Sequence, residues 1–352
     1  MFEKLKHIDL NSSIIVMPDF FVDRIIRLDS QEQLFNALAE KTKYGGGSLR
    51  GIPTLDIKGG NAVNIAYCLS KLGAHVTLFT IADEIGSVML QKIFSKFGDR
   101  VNLRIANGNH GRTTALEFVG EKTTKANLMI NDVGDNANFG PERITSTDDM
   151  KTLADADGVI VVNWASNLKG TELAEYAFKN SLHAFHFVDP ADIESRREEF
   201  RDTILKLADI MDILSLNENE CNSLGRTLGF DSLLPSNNYS DGDIKNAAKK
   251  LADKFRVNTE IHTSKGSAWS NGLETAFSQV IKVEAKTLTG AGDSWDAANI
   301  LAHLVGLDPA ESLIFSNAYA SLYVKSTNSE PPTINEAIQV LEKINASDRN
   351  TR

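Results

Sequence analysis

The chain alternates short, continuously apolar runs with longer stretches in which apolar residues recur every three or four positions. Residues 13–17, Ser-Ile-Ile-Val-Met ahead of Pro18, are apolar on both faces, the pattern of a strand covered on two sides. Residues 76–81, 157–162, 184–188 and 211–214 are largely apolar in the same way, and 258–262, Asn-Thr-Glu-Ile-His, is read as a further strand of the series. Helical spacing falls between and after them, at 61–72 with Gly73 as its stop, 86–97, 171–179, 243–254, 294–305, 309–324 and 333–341. In 86–97 the predicted core side is Val88, Leu90, Ile93, Phe94 and Phe97. Strands alternating with helices predict a mostly parallel sheet with helices on both faces. Less continuously apolar strands are predicted at 20–28, 52–57, 101–106, 113–119 and 126–130, and short ones at 273–277 and 280–283. Residues 30–42 have helical character, and three consecutive glycines, Gly45-Gly46-Gly47, follow them. The end of the chain, 346–352, reads as a polar tail.

Composition narrows the class. A chain of 352 residues, 42% apolar, has enough material for one large domain with a full core, and 1–352 is read as one unit. The formal charge of −10 argues against nucleic acid or an anionic membrane as a partner. No run approaches the ~20 apolar residues that span a bilayer, and residues 1–11 lack an apolar signal core. A cytoplasmic protein is expected. Cys68 and Cys221 stand alone, with no zinc spacing and no disulfide pattern.

The chemistry is concentrated at Gly290-Ala291-Gly292-Asp293, which leads into the predicted helix at 294–305. Glycines allow a tight turn and close approach to a ligand. The unpaired first amides of a helix and its positive end suit a phosphate. A carboxylate beside that phosphate is unfavourable unless it has a task. The task that fits is to take the proton of a hydroxyl attacking the terminal phosphoryl group. Against this stands a plain turn, with Asp293 where acids are common in any helix.

Thr289-Gly290-Ala291-Gly292-Asp293 resembles the Gly-Ala-Gly-Asp signature of the ribokinase (PfkB-type) family of small-molecule kinases. Gly59-Gly60-Asn61-Ala62-Val63-Asn64-Ile65-Ala66, running on to Leu72-Gly73, and Asn217-Glu218-Asn219-Glu220 resemble two further landmarks, in the family's order. The likeness spans about residues 14–345. It implies a ribokinase-like three-layer α/β/α sandwich with a small β-sheet lid from segments 20–58 and 112–131. It implies transfer of the γ-phosphoryl group of ATP to a hydroxyl of a sugar, sugar acid, nucleoside, inositol or sugar phosphate. A homodimer through the lid is a further expectation.

The resemblance also assigns roles. Asp293 is the base, and the amides of Gly290, Ala291 and Gly292 hold charge on the phosphoryl oxygens. Asp23, with Asp19 as second choice, binds acceptor hydroxyls together with Gly59, Gly60 and Asn64. Arg112 and Asn163 are candidate acceptor contacts, and Trp164 either stacks on a ligand or fills the core. Lys265, Gly266, Thr289 and Asn317 border the nucleotide. Asn217 and Glu220 organise Mg²⁺, mainly through water, or cap a helix, or both. Two departures stand out. The acid expected two residues before Thr289 is Thr287, which disfavours a monovalent-cation site, and Thr263 replaces the first glycine of the loop ending at Gly266. They leave a second reading, a non-catalytic sugar- or nucleotide-binding regulator that keeps the fold.

Overall fold

The computed structural model describes residues 4–5, 12–118, 126–235, 238–328 and 330–350. Its centre is β1 (Ser13–Met17), whose side chains alternate between two cores. Ile14 and Val16 pack in one and Ile15 and Met17 in the other, all fully buried. This two-sided burial is why the run is apolar at every position.

The elements follow in the order β2 (Phe21–Leu28), α1 (Gln31–Lys43), β3 (Thr54–Gly59), α2 (Asn61–Leu72), β4 (His75–Ala82), α3 (Glu84–Phe94), β5 (Val101–Asn107), β6 (Gly111–Phe118) and β7 (Ala126–Asp132). After these come α4 (Thr147–Ala154), β8 (Gly158–Val162), α5 (Gly170–Lys179), β9 (Phe185–Asp189), α6 (Arg197–Leu207), β10 (Ile213–Asn217), α7 (Glu218–Thr227) and α8 (Asp241–Phe255). The chain closes with β11 (Asn258–His262), β12 (Gly266–Ser270), β13 (Thr275–Gln279), α9 (Ala291–Leu304), α10 (Pro309–Lys325) and α11 (Ile334–Asn350).

Nine strands form the large sheet in the order β13-β12-β11-β10-β9-β8-β1-β4-β5. All neighbours are parallel except at β11–β12 and β12–β13. Helices α2, α9, α10 and α11 cover one face, and α5 to α8 cover the other. A separate small sheet, β3-β2-β6-β7, is mixed: β2 runs parallel to β6, and the outer pairs are antiparallel. Its strands overlap segments 20–58 and 112–131, from which a lid is expected, with α1 inserted between β2 and β3. Leu55, Leu128, Met129 and Ile130 of this sheet are exposed.

Several expectations are corrected. Val88 is exposed on α3, because it lies two residues from buried Leu90, about 200° around the helix. Residues 280–283 are not a strand; β13 ends at Gln279. Gly266–Ser270 is a strand, although its small residues gave no strand signal. The helix α6, with Phe200, Ile204 and Leu207 buried, was not among the predicted elements. The polar C-terminal segment is helical to Asn350.

Strand order reverses at β1, so the crevice at the carboxyl ends of β1 and β8 is where an open α/β sheet binds ligands. Asp19, just after β1, fastens this point. It is 1% exposed and accepts from the amides of Asn61 (2.9 Å) and Ala62 (2.8 Å), the first two of α2. Asn163, after β8 and in a left-handed conformation, donates its side-chain amide to the same carboxylate at 2.8 Å. Gly60 initiates α2 at φ +93°, and a Cβ there would press on the Asp19 carbonyl. Asp19 is therefore a helix cap. We expect Asp19→Ala to lower stability by about 1–2 kcal/mol through the lost cap and the orphaned Asn163 amide. Urea melts check this; an unchanged midpoint would return Asp19 to the list of acceptor contacts.

Candidate active site

Two helix N-termini meet at the carboxyl edge of the large sheet. One belongs to α2, seated by Asp19, and the other to α9. Gly290 leads into α9 at φ +81°, where a Cβ would collide with the Tyr323 hydroxyl. That hydroxyl donates to the Thr289 carbonyl at 3.0 Å and holds the turn against α10. The Ala291 amide donates to the Leu288 carbonyl at 3.1 Å. It is committed to the turn, so the amides that face outward at this end are those of Gly292 and Asp293.

Asp293 is buried, and each oxygen accepts one hydrogen bond from α2: Oδ1 from Asn61 Nδ2 at 2.9 Å and Oδ2 from Asn64 Nδ2 at 2.8 Å. Asn61 and Asn64 lie one turn apart and share a helix face. The carbonyl end of Asn64 accepts from Lys58 Nζ, on β3, at 2.6 Å. Burial pushes the Asp293 pKa up to about 8, with the negative charges of Asp189 and Asp19 adding to the effect and Asn64 and Lys58 opposing it.

Behind Asp293 lie two more buried acids, Asp189 at the end of β9 and Asp296 one turn along α9. Their carboxyls are within hydrogen-bond reach of each other, and burial raises both pKa values. Ser215 also donates to Asp296 at 2.7 Å. Asp23, on the lid strand β2, is half-buried; burial raises its pKa, and Thr113 donates to it. A Cβ on Gly59 would overlap its carboxylate, which is why glycine stands there.

On the other side of the Gly292 turn is a cavity of about 680 Å³. Its walls include Val280, Val283, Leu288, Ala320 and Val324, and its floor includes Ala291, Gly292 and Trp295. Its size and apolar lining suit a base-sized planar ligand. The His262 ring stacks on Trp295 at 5.0 Å, and burial lowers its pKa to about 4, so it is neutral at physiological pH.

The pfkB family carbohydrate kinase model matches residues 41–336. The chain belongs to the pfkB family of carbohydrate kinases. Its fold is the ribokinase fold. Ribokinase from Thermotoga maritima superposes with a TM-score of 0.71 at 23% identity, covering 95% of this chain and 99% of that one. Ribokinase from Arabidopsis thaliana, solved with ribose and ATP, gives 0.69 at 22% identity over 94% and 98%. Adenosine kinase from Sinorhizobium meliloti gives 0.69 at 19% identity over 96% and 100%. No curated protein matches the sequence. As a member of this family the chain is a phosphotransferase with a hydroxyl acceptor.

In this pfkB kinase the predicted site residues fall into three groups. Asp293, Asn64, Gly60, Gly59 and Asp23 converge on the acid cleft. Asn217, Asn317, Ala291 and Gly292 line the cavity, but Asn317 is already committed. Its oxygen accepts from Trp295 Nε1 at 2.8 Å, and its nitrogen donates to the Ser278 and Gln279 carbonyls. The third group points elsewhere. Arg112 is exposed and pairs with Asp83 at 3.0 Å. Lys265, expected to border the nucleotide, donates to the Tyr239 carbonyl at 2.9 Å and lies over that ring. Gly266 closes a turn with Thr263, so Thr263 and Ser264 line the cavity in its place. Trp164 is buried against Phe200, which settles it as core.

Asn217 and Glu220 form a reciprocal cap on α7. Asn217 Oδ1 accepts from the Asn219 and Glu220 amides at 2.9 and 3.1 Å. The Glu220 oxygens accept from Asn217 N at 2.8 Å and Nδ2 at 2.6 Å. Thr287 bonds the Ser326 carbonyl at 3.0 Å and ties the segment before the turn to the end of α10. Residues to which the sequence assigned no role include Lys58, Asn61 and Glu218, the last of which accepts from Ser264 N at 2.9 Å and anchors the 263–266 turn. Only the fold brings them to the site.

The proton affinity of Asp293 has a consequence for stability. Its pKa rises from 3.8 in the unfolded chain to about 8 on folding. Between these values the folded state holds a proton that the unfolded state has lost, so stability falls as pH rises through this window. We expect Asp293→Asn to be stabilised relative to the wild type, by a margin that grows from pH 5 to pH 8. Thermal melts at both pH values measure it; a constant margin would mean that Asp293 ionises normally.

Proposed function

We infer that the protein transfers the γ-phosphoryl group of ATP to a hydroxyl of a small polyol, with Asp293 as the base. The observation that carries the reading is the two-sidedness of one helical turn. Gly292 lines the apolar cavity while its neighbour Asp293 presents a carboxylate to the cleft roofed by the lid. A nucleotide in the cavity would lay its phosphates on the free amides at the start of α9. An acceptor between Asp23 and Asn64 would lie on the opposite side, in line with the terminal phosphate.

The chemistry follows from that placement. Asp293 takes the acceptor's hydroxyl proton as the oxygen forms its bond to phosphorus. The bond from the γ-phosphorus to the β–γ bridging oxygen breaks, and ADP leaves with that electron pair. The Gly292 and Asp293 amides face the charge on the transferring group. Asn61 and Asn64 hold the carboxylate in position and release it to the acceptor.

The donors around Asn217 suit Mg²⁺ held through water. Asn217, Glu218, Asn219 and Glu220 offer oxygen donors, and among the described residues no cluster of three or more acidic, His or Cys side chains forms a protein cage for a metal. Both Glu220 oxygens are already bonded to Asn217. An ion that keeps its waters and leans on the phosphates needs no cage. Mg²⁺ bound with the nucleotide supplies neutralisation of phosphate charge. The exposed apolar residues of the lid sheet support a homodimer through the lid.

Turnover should depend on an ionised Asp293. We expect kcat/KM to rise with pH up to about 8 and then level, because the free enzyme loses its proton there. A flat profile from about pH 6 to 9 would contradict the assignment of the base. In an ATP-consumption screen over sugars and nucleosides, Asp293→Asn should lose at least ~10²-fold in rate and keep nucleotide binding. Retained turnover would place the base elsewhere. Glu220→Gln should raise the Mg²⁺ concentration needed for half-maximal rate without moving the acceptor KM; a lower melting temperature alone would leave capping as its whole role.

A further inference from the structure

Lys58 has no place in the chemistry described so far, yet it contacts the group that holds the base. It sits on β3, the lid strand that runs directly into Gly59-Gly60 and α2. Its ammonium donates to Asn64 Oδ1 at 2.6 Å, and Asn64 Nδ2 donates to Asp293 Oδ2 at 2.8 Å. A primary amide can be held either way round. The lysine, a donor with no acceptor, decides the matter: the carbonyl must face Lys58, and the NH₂ must face Asp293.

Lys58 is itself fixed on its far side. Its ammonium lies 4.7 Å from the centre of the Tyr67 ring. The Tyr67 hydroxyl donates to Glu330 at 2.9 Å, and Glu330 also accepts from Lys71 and Lys96 at 2.9 Å each. The side chain is half-buried, and burial lowers its pKa. Around it stand Asp23 from β2, Cys68 and Tyr67 from α2, Asp293 from α9 and Glu330. The groups facing Asp293 are Asn61 and Asn64 from α2, Asp19 from the end of β1, Asp189 from β9, Asp296 from its own helix and Lys58 from the lid. Lys58 is the cation among them. Every other charged member of that set is a carboxylate.

We propose that Lys58 is the positioning residue for the base: carried on the lid, it sets the orientation of the Asn64 amide and supplies positive charge to a cleft crowded with acids. It touches neither the transferring phosphoryl group nor the attacking oxygen in this arrangement, and acts on Asp293 through Asn64 and through space. Because it rides on β3, the seating of the lid and the readiness of the base are one variable. A lid displaced by an ångström lengthens the bond to Asn64, frees the amide to turn and withdraws the cation. The inference rests on the reading of Asp293 as base.

The test compares Lys58→Met, Lys58→Gln and Lys58→Arg by two readouts. One is the pH profile of kcat/KM. The other needs no turnover: the titration of the protonated-carboxyl C=O infrared band that Asp293→Asn removes. With Met, both the acid limb and the band should move at least one pH unit alkaline, a tenfold change in proton affinity. The plateau rate should fall about tenfold or more as the amide loses its fixed orientation. Gln keeps a donor without the charge, so the band should move with a smaller loss of plateau rate; it serves also if Met fails to fold. Arg keeps charge and donor and should hold the band near its wild-type position. A band and limb that stay put in both Met and Gln, or an equal shift in Arg and Met, would overturn the proposal in favour of simple packing. If Asp293→Asn itself turns over normally, the reading of the base fails, and this outcome is distinct from an unmoved band in an enzyme that needs Asp293.

Discussion

Both oxygens of Asp293 are held by side chains of another helix, and much of the site's architecture can be traced to that clamp. Asn61 and Asn64 can reach it only if α2 starts where it does. The start of α2 is set by Asp19 on its first two amides and by Gly60 in a conformation that favours glycine. Asp19 in turn is steadied by Asn163 at the end of β8, across the point where strand order reverses. The sheet topology thus reaches the Asp293 carboxylate through three successive polar contacts. The apolar cores beneath supply the rigidity that keeps those contacts at hydrogen-bond length.

The arrangement is electrostatically costly. Asp19, Asp189, Asp293 and Asp296 are all nearly inaccessible to water; Asp19 and Asp189 add to the proton affinity of Asp293, and Asp189 and Asp293 to that of Asp296. Two helix N-termini and the Lys58 ammonium offset part of this. The remainder is stability given up for a carboxylate that can change protonation state near neutral pH, a trade often found at active sites. The cavity side is the opposite case: apolar walls, a neutral His262 on Trp295, and an Asn317 whose amide is already paired.

The sequence carried the fold well because its strongest signals are local. β1 and α2 could be read closely, since a continuous apolar run and a glycine stop leave few alternatives. The misses have physical reasons. β12 is built from Gly266, Ser267, Ala268, Trp269 and Ser270, four of them small, and α8 and α10 pack on the strand. In α6 the apolar spacing is diluted by charges that face water. At the site, motif residues placed Asp293, Asn64 and the Gly60 turn in one cleft. Lys58 and Asn61 were illegible because their roles depend on partners more than 200 residues away in the case of Asn61, and on the rotamer of a neighbour in the case of Lys58. Lys265 went the other way: its position in the loop suggested the nucleotide, but its ammonium is bonded to the Tyr239 carbonyl.

The most direct test of the account is a crystal structure with a non-hydrolysable ATP analogue and an acceptor that the wild type phosphorylates. The account predicts the terminal phosphate on the Gly292 and Asp293 amides and one acceptor hydroxyl about 3 Å from an Asp293 oxygen. It also predicts the base in the Asn61–Asn64 cradle, with an adenine against Trp295 in the cavity. A ternary complex in which the acceptor's nearest carboxylate to the phosphorus is Asp296 or Asp189, or in which the nucleotide lies outside the cavity, would contradict it.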